Sequence, residues 1–160
     1  MTKLKSLMSR LRSNSSGNAA LIVALGMPVL IGGAGYAVDT AQWYAWQREL
    51  QFATDQAAIS AAWARASEST ENSYVTRGEQ EYENNLSVTE EFADDPTVVL
   101  ADYAGGDDNS VIVSATATAN LPFSNFLTGR STTIRVSSQA QFEEGGSYTC
   151  LLYTSPSPRD

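Results

Sequence analysis

The sequence predicts an α+β protein in which a long N-terminal helix precedes a small antiparallel sheet. Residues 40–66 contain no Gly or Pro and are rich in Ala, Gln, Leu and Arg, a composition that favours a long helix. Three runs rich in β-branched residues follow over residues 97–142, separated by turn signals. These runs predict about three strands, and we expect a helix to pack against the sheet that they form.

The charges divide the chain into a basic start and an acidic body. The 160 residues carry a net charge of −8, yet only cations precede the first acid: Lys3, Lys5, Arg10 and Arg12. Residues 39–146 contain 17 acids and five arginines. An acidic body argues against a nucleic-acid partner, which needs a basic face. The basic start is typical of a tail at an anionic cytoplasmic membrane surface.

An uncharged stretch follows the basic start and predicts a membrane-spanning helix. Residues 13–38 contain no charged side chain, and the apolar core over residues 19–38 has about the 20 residues that a helix needs to cross a bilayer. The predicted anchor residues are Ala19, Leu21, Ile22, Val23, Leu25, Pro28, Leu30, Ile31 and Val38. The alternative is a cleaved secretory signal, because a basic start and an apolar run fit both.

The positive-inside rule places the N-terminus in the cytoplasm. The predicted organisation is a basic cytoplasmic tail (1–18), a transmembrane helix (19–38), a juxtamembrane helix (39–66) and an acidic extracytoplasmic α+β region (67–149). Residues 150–160 (CLLYTSPSPRD) resemble the translation of a sequencing adapter. We interpret them as an artefact, with a genuine Pro/Ser-rich end as the alternative, and we expect the natural chain to continue beyond Thr149.

The outer region alternates between helical and extended patterns. Residues 70–86 predict a surface helix with Tyr74 and Tyr82 inward. The predicted strands are 97–103, 110–120 and 131–142, and alternation places Val111, Val113, Ala115, Ala117 and Ala119 on one face of the second and Ile134, Val136, Ser138 and Ala140 on one face of the third. Residues 121–127 are interpreted as an apolar link.

The sequence predicts no catalytic, cofactor or metal site, so we expect no enzyme and no small-molecule substrate. The chain contains no histidine, which removes the commonest general base and metal ligand. Asp107, Asp108 and Asn109 lie in a glycine turn, but the spacing of an EF-hand calcium loop is missing, since its twelfth position is Thr118.

Two runs of residues resemble the N-terminal segment of TadG-like and TadE-like proteins. The first joins residues 17–20 (GNAA) through the apolar stretch to residues 35–39 (GYAVD), and the second is residues 48–62 (RELQFATDQAAISAA). The residues that carry the motif are Gly17, Asp39, Arg48, Leu50, Gln51, Ala53, Asp55, Ala57 and Ala58.

The resemblance implies an accessory or scaffold protein of Flp (tight adherence) pilus assembly and cell adhesion. Such proteins are anchored in the bacterial inner membrane and work with other pilus-assembly proteins. Prepilin-like members are cut after a Gly and carry Glu at the fifth mature position, where this chain has Ile22, so a retained anchor fits better. Some TadG-like members carry a von Willebrand A-type domain further along, whose Asp-x-Ser-x-Ser motif does not occur in these residues. The alternatives are a minor pilin-like subunit and the anchor of a downstream binding or sensory domain unrelated to pili.

Overall fold

A computed structural model describes residues 17–143 and 152–154, and its first element is a single long helix. Helix α1 spans Gly17–Ala66 and passes through Pro28 without a break. We call residues 20–38 of α1 the apolar half and residues 39–66 the packed half. The basic tail lies outside the described residues except for its last two, Gly17 and Asn18, which lie in α1.

Two further helices and four strands complete the described chain. A 3-10 turn at Glu71–Ser73 leads into α2 (Tyr74–Asn85), and a second 3-10 turn lies at Thr89–Glu91. The remaining elements, in chain order, are β1 (Thr97–Ala101), β2 (Ser110–Ala119), α3 (Pro122–Thr128), β3 (Thr132–Gln141) and β4 (Leu152–Thr154).

The four strands form one antiparallel sheet in the order β1-β2-β3-β4. The α+β class and the three expected strands are therefore confirmed, with bounds that differ by one or two residues. Strand β4 adds a fourth strand beside β3, and it lies in the segment that we interpreted as adapter sequence. The rest of that segment lies outside the described residues, and the interpretation stays a prediction.

The core fills the space between the packed half of α1, α2 and one face of the sheet. Every residue assigned to the inward faces of β2 and β3 is buried, so the period-2 alternation was interpreted correctly. Tyr82 of α2 is also buried, and its hydroxyl donates to the carbonyl of Asp94 at 3.3 Å. Burial, followed by the negative charges of Asp94 and Asp95, raises the pKa of Tyr82 to about 12, so this donor keeps its proton.

Gly78 lets α2 approach both α1 and the sheet. A Cβ at this position would lie 3.2 Å from the Cβ of Ala61 and 3.1 Å from a methyl carbon of Val98. Both distances are shorter than ordinary van der Waals contact, so α1, α2 and β1 can pack this closely only because residue 78 has no side chain.

Strand β3 runs in the same direction as α1, and this fixes which end of the sheet faces the apolar half. The side chain of Gln51 donates to the carbonyl of Ser137 at 3.4 Å, and the guanidinium of Arg65 lies over the ring of Phe142, 5.6 Å from its centre. The β2–β3 connection therefore lies beside residues near 39, at the junction of the two halves.

The interpretation of residues 121–127 as a link was incomplete, because most of them form helix α3. Pro122 occupies the first turn, where its missing N–H costs nothing, and Gly129 ends the helix with a φ of 66°. A helix of seven residues is too short to show periodicity, and its sequence pattern therefore does not distinguish it from a connection.

Candidate functional site: the apolar half of α1 and the carboxylate at its end

The apolar half exposes large hydrophobic side chains along its whole length. Leu25 and Leu30 are each 70% exposed, and the most apolar 18-residue window of α1 has a mean hydropathy of 2.0 with none of its residues buried. Large hydrophobic side chains that are exposed over several helical turns indicate a contact surface. The predicted anchor residues whose side chains are described are exposed in this way: Leu21, Ile22, Val23, Leu25, Pro28, Leu30, Ile31 and Val38. Ala19 also lies in α1.

Within residues 17–143 and 152–154, α1 is the one helix whose length and composition suit a membrane span. A signal sequence near the N-terminus can meet the same criteria of length and composition. A core helix of a soluble protein would be buried, and the apolar half is not. Pro28 and three glycines, at positions 26, 32 and 33, face open space, and such residues are tolerated in membrane helices.

Asp39 follows the apolar half directly and is buried, with 2% of its surface exposed. The backbone N–H of Phe123 donates to Asp39 Oδ1 at 3.1 Å, and the N–H of Ser124 donates to Oδ2. These donors belong to the first turn of α3, whose own N-cap residue, Leu121, supplies no side-chain acceptor. Asp39 thus caps α3 from a position 84 residues earlier in the chain.

The charge of Asp39 is retained by these contacts. Burial alone would raise the pKa of this carboxyl group, but hydrogen bonds from the Ser124 hydroxyl and from the N–H groups of Phe123 and Ser124 outweigh burial and lower it. The carboxylate therefore acts as a fixed acceptor that ties the end of the apolar half to the β2–β3 connection.

Gly35 makes room for the ring of Phe123 one turn before Asp39. A Cβ on Gly35 would lie 2.3 Å from Cδ2 of Phe123, a distance that no side chain could keep without displacement. Gly35 and Asp39, which the sequence places in one motif, thus contact the same short helix from one face of α1, since residues four apart share a face.

Residues 17–64 match the family model described as "Putative Flp pilus-assembly TadE/G-like". The matched segment is 48 residues long, under a third of the 160-residue chain. The expected resemblance is confirmed over this TadE/G-like segment, which covers the apolar half and nearly all of the packed half. Neither the curated proteins nor the solved structures gave a match to the chain.

The TadE/G-like segment divides its motif residues between the core and the surface. Leu50, Ala53, Ala57 and Ala58 have no exposed surface and pack under the sheet and α2. Gln51 donates to Asp55 Oδ1 at 2.7 Å, one turn further along, while Arg48 is exposed. Gly17 begins the described part of α1. The buried motif residues are thus a packing surface, and Asp39 makes a tertiary contact with α3.

A second carboxylate of the TadE/G-like segment, Glu49, makes a contact that sequence reasoning missed. Its Oε1 accepts hydrogen bonds from the N–H of Ser87 at 2.7 Å and from the N–H and hydroxyl of Thr89 at 3.0 and 2.9 Å. Burial would raise the pKa of Glu49, but these donors outweigh burial and lower it. Glu49 thereby holds the Thr89–Glu91 turn against α1.

Three exposed carboxylates, those of Asp102, Asp107 and Asp108, come close together in the β1–β2 turn. The contacts of the turn itself account for this geometry, since the N–H of Asp108 donates to Asp102 Oδ1 at 2.9 Å and Asn109 bonds both backbone groups of Tyr103. The sequence-based expectation that the chain holds no metal or cofactor stays a prediction.

Proposed function

We propose that this protein is a membrane-anchored accessory component of Flp pilus assembly, with a scaffolding role and no catalysis of its own. The observation that carries the proposal is that the family match and the bare apolar half coincide in one helix. A protein of the pilus system with such a helix has a direct means of staying in the membrane where the pilus is built.

The anchored arrangement is supported by the large hydrophobic side chains of the apolar half, which are exposed rather than packed in a core. Side chains such as Leu25 and Leu30 would be unfavourable in water, at about 25 cal/mol for each Å² of apolar surface. Insertion of residues 19–38 in the inner membrane removes that cost. The four cations before the segment support an N-terminus in the cytoplasm, which leaves the acidic α+β region outside it.

A scaffolding role is supported by the way the charged groups near the anchor are used. Asp39 and Glu49 are both occupied by N–H donors, so they hold elements in place rather than move protons. The anchor continues without a break into the packed half, and a continuous helix transmits the orientation of the anchor to the outer region.

The test is deletion of the gene in a piliated bacterium, with pili counted by electron microscopy and surface attachment measured. We expect pili and attachment to be lost while pilin is still made, and the full gene to restore both. A version whose apolar half is replaced by a cleavable signal sequence is the matched control, and we expect it to be secreted without restoring pili. Normal piliation of the deletion strain would reject the proposal.

The same strains separate a scaffold from a minor pilin-like subunit. A scaffold stays with the inner membrane when pili are sheared from the cells. A minor subunit would appear in the sheared fraction, shortened by cleavage after Gly17. Finding the chain in that fraction would replace the scaffolding role with the subunit role.

A further inference from the structure

Helix α3 presents an apolar face that nothing in the described part of the chain covers. Phe126 is 84% exposed and Leu127 is 65% exposed. They lie three and four residues after Phe123, so the three side chains share one face of α3. Phe123 is seated against Gly35 of the apolar half. The exposed pair therefore continues the surface of the membrane anchor.

We propose that α3 inserts Phe126 and Leu127 into the outer interface of the same bilayer, as a second membrane contact beside the anchor. This inference rests on the proposed anchoring of α1. Gly35 precedes Asp39 by four residues, or about 6 Å along a helix. The Phe123 ring therefore lies level with the last turn of the apolar half, within the depth of about 5–10 Å at which interfacial helices bury their apolar faces.

The orientation of the sheet supports this placement. Strand β3 begins near residue 39 of α1 and runs away from the apolar half, towards Arg65. The β2–β3 connection is thus at the end of the outer region that faces the membrane. Aromatic side chains favour the headgroup level, and Tyr36, which is exposed on the last turn of the apolar half, adds another.

The distribution of charge fits a bilayer better than a basic or acidic protein partner. Residues 111–142 contain no acid, although the outer region as a whole is strongly acidic. Two arginines occur in this stretch, and one of them, Arg130, lies two residues after α3 and is exposed. The one carboxylate that contacts α3, that of Asp39, is buried and occupied by N–H donors. An exposed apolar pair close to a cation is suited to anionic headgroups.

The test measures the depth of single fluorescent labels on the full chain in vesicles of phosphatidylethanolamine and phosphatidylglycerol. The sole cysteine is removed by Cys150→Ser, and an environment-sensitive NBD label is placed at Phe126→Cys. Val99→Cys is the matched control, because Val99 is an exposed apolar residue of β1 that pairs with Ile112, near the end of β2 remote from α3. Leu30→Cys reports insertion of α1 itself.

We expect the label at position 126 to emit at shorter wavelength than the label at 99 and to be quenched by nitroxide lipids but not by aqueous iodide. If position 30 is in lipid while 126 behaves like 99, the inference is wrong and the anchoring stands. A blue-shifted label at 126 that nitroxide lipids do not quench would mean a protein cover, and would also overturn it. If position 30 is in water, anchoring and inference both fail.

Discussion

The two halves of α1 reverse the usual relation between side-chain size and burial. In the apolar half, Leu25 and Leu30 are mostly exposed, whereas Ala53 and Ala57 in the packed half have no exposed surface. A helix that served one soluble core would bury its leucines first. The comparison shows that the two halves suit different surroundings: the packed half lies in a protein core, and the apolar half has the exposed apolar surface that a membrane span requires.

The small residues of the packed half have a structural purpose of their own. Alanines at successive inward positions let the backbone of α1 approach the sheet closely, and Leu50 is the largest aliphatic side chain of α1 in the resulting core. The boundary between the halves is marked by Asp39, the first buried residue after the exposed stretch. Substitutions in the packed half should therefore change the stability of the fold, and substitutions in the apolar half should change membrane insertion.

The largest expected effect comes from Leu50→Ala, which removes a fully buried side chain. Core truncations of this type cost about 2–5 kcal/mol, so we expect the free energy of unfolding of the outer region to fall by that amount. The measurement is urea unfolding of the full chain in detergent micelles. Leu30→Ala is the matched control on the same helix, and we expect it to change that free energy by less than about 0.5 kcal/mol. Equal effects would remove the distinction between the halves.

A charge in the apolar half should affect membrane insertion instead. Arginine at the centre of a spanning helix costs about 2.5–3.5 kcal/mol, and position 30 is near the centre of residues 19–38. We expect Leu30→Arg to reduce the inserted fraction in a glycosylation-mapping assay. Val99→Arg on the sheet should leave insertion unchanged. Unreduced insertion of the Leu30→Arg chain would argue that residues 19–38 do not span the bilayer.

The sequence predicted elements whose signals are local and missed contacts that join distant residues. The alternation in β2 and β3 identified their buried faces, because the period of a strand is short and regular. The fourth strand lies in a segment that was set aside because it resembles a translated sequencing adapter. Glu49 and Thr89 are 40 residues apart, and the sequence pattern around neither residue predicts that they are in contact.

The sequence indicates one partner of the Asp39–α3 contact, the carboxylate, but not the helix that it caps. The position of Asp39 after the apolar run and in the family motif marks it as a candidate, but the sequence predicts a link where the structure has helix α3. Pro122 and Gly129 are the residues expected at the start and just after the end of a short helix. Leu121, at the N-cap position, has no side-chain acceptor for the free N–H groups of the helix. The free N–H groups of an uncapped helix start take acceptors from another side chain or from water. That reasoning predicts an acceptor for α3 but does not identify Asp39 as the residue that supplies it.

A smaller effect is expected at the boundary between the halves. Gly35→Ala would place a methyl group against Phe123, and overpacking of this kind costs about 1–3 kcal/mol. We expect faster hydrogen exchange at the amides of Phe123 and Ser124, since both lose their alignment with Asp39. Gly33→Ala is the control, because nothing lies within 4 Å of the added Cβ. Similar exchange in the two variants would mean that α3 is not seated on Gly35.

The smallest effect concerns Glu49, which contacts the outer region from within the packed half. The pKa of Glu49 is lowered in the folded state, so its charge stabilises the fold when the pH is above 4.5, the ordinary pKa of this group. This contribution is lost as the pH falls below 4.5 and through the folded pKa. Glu49→Gln should therefore weaken the loss of stability with acid. Its cost at neutral pH should be on the order of 1 kcal/mol or less, as for a partly exposed cap.

The measurement is the free energy of urea unfolding, followed from neutral pH to below 4.5 for wild type and Glu49→Gln. Glu83→Gln, which changes an exposed carboxylate of α2, is the control and should keep the wild-type slope. If Glu49→Gln also keeps that slope, the hydrogen bonds to Ser87 and Thr89 do not depend on the charge. The contact would then hold the Thr89–Glu91 turn through neutral hydrogen bonds as well as through charged ones. The packed half would then differ from the apolar half in its packing but not in a stabilising charge at Glu49.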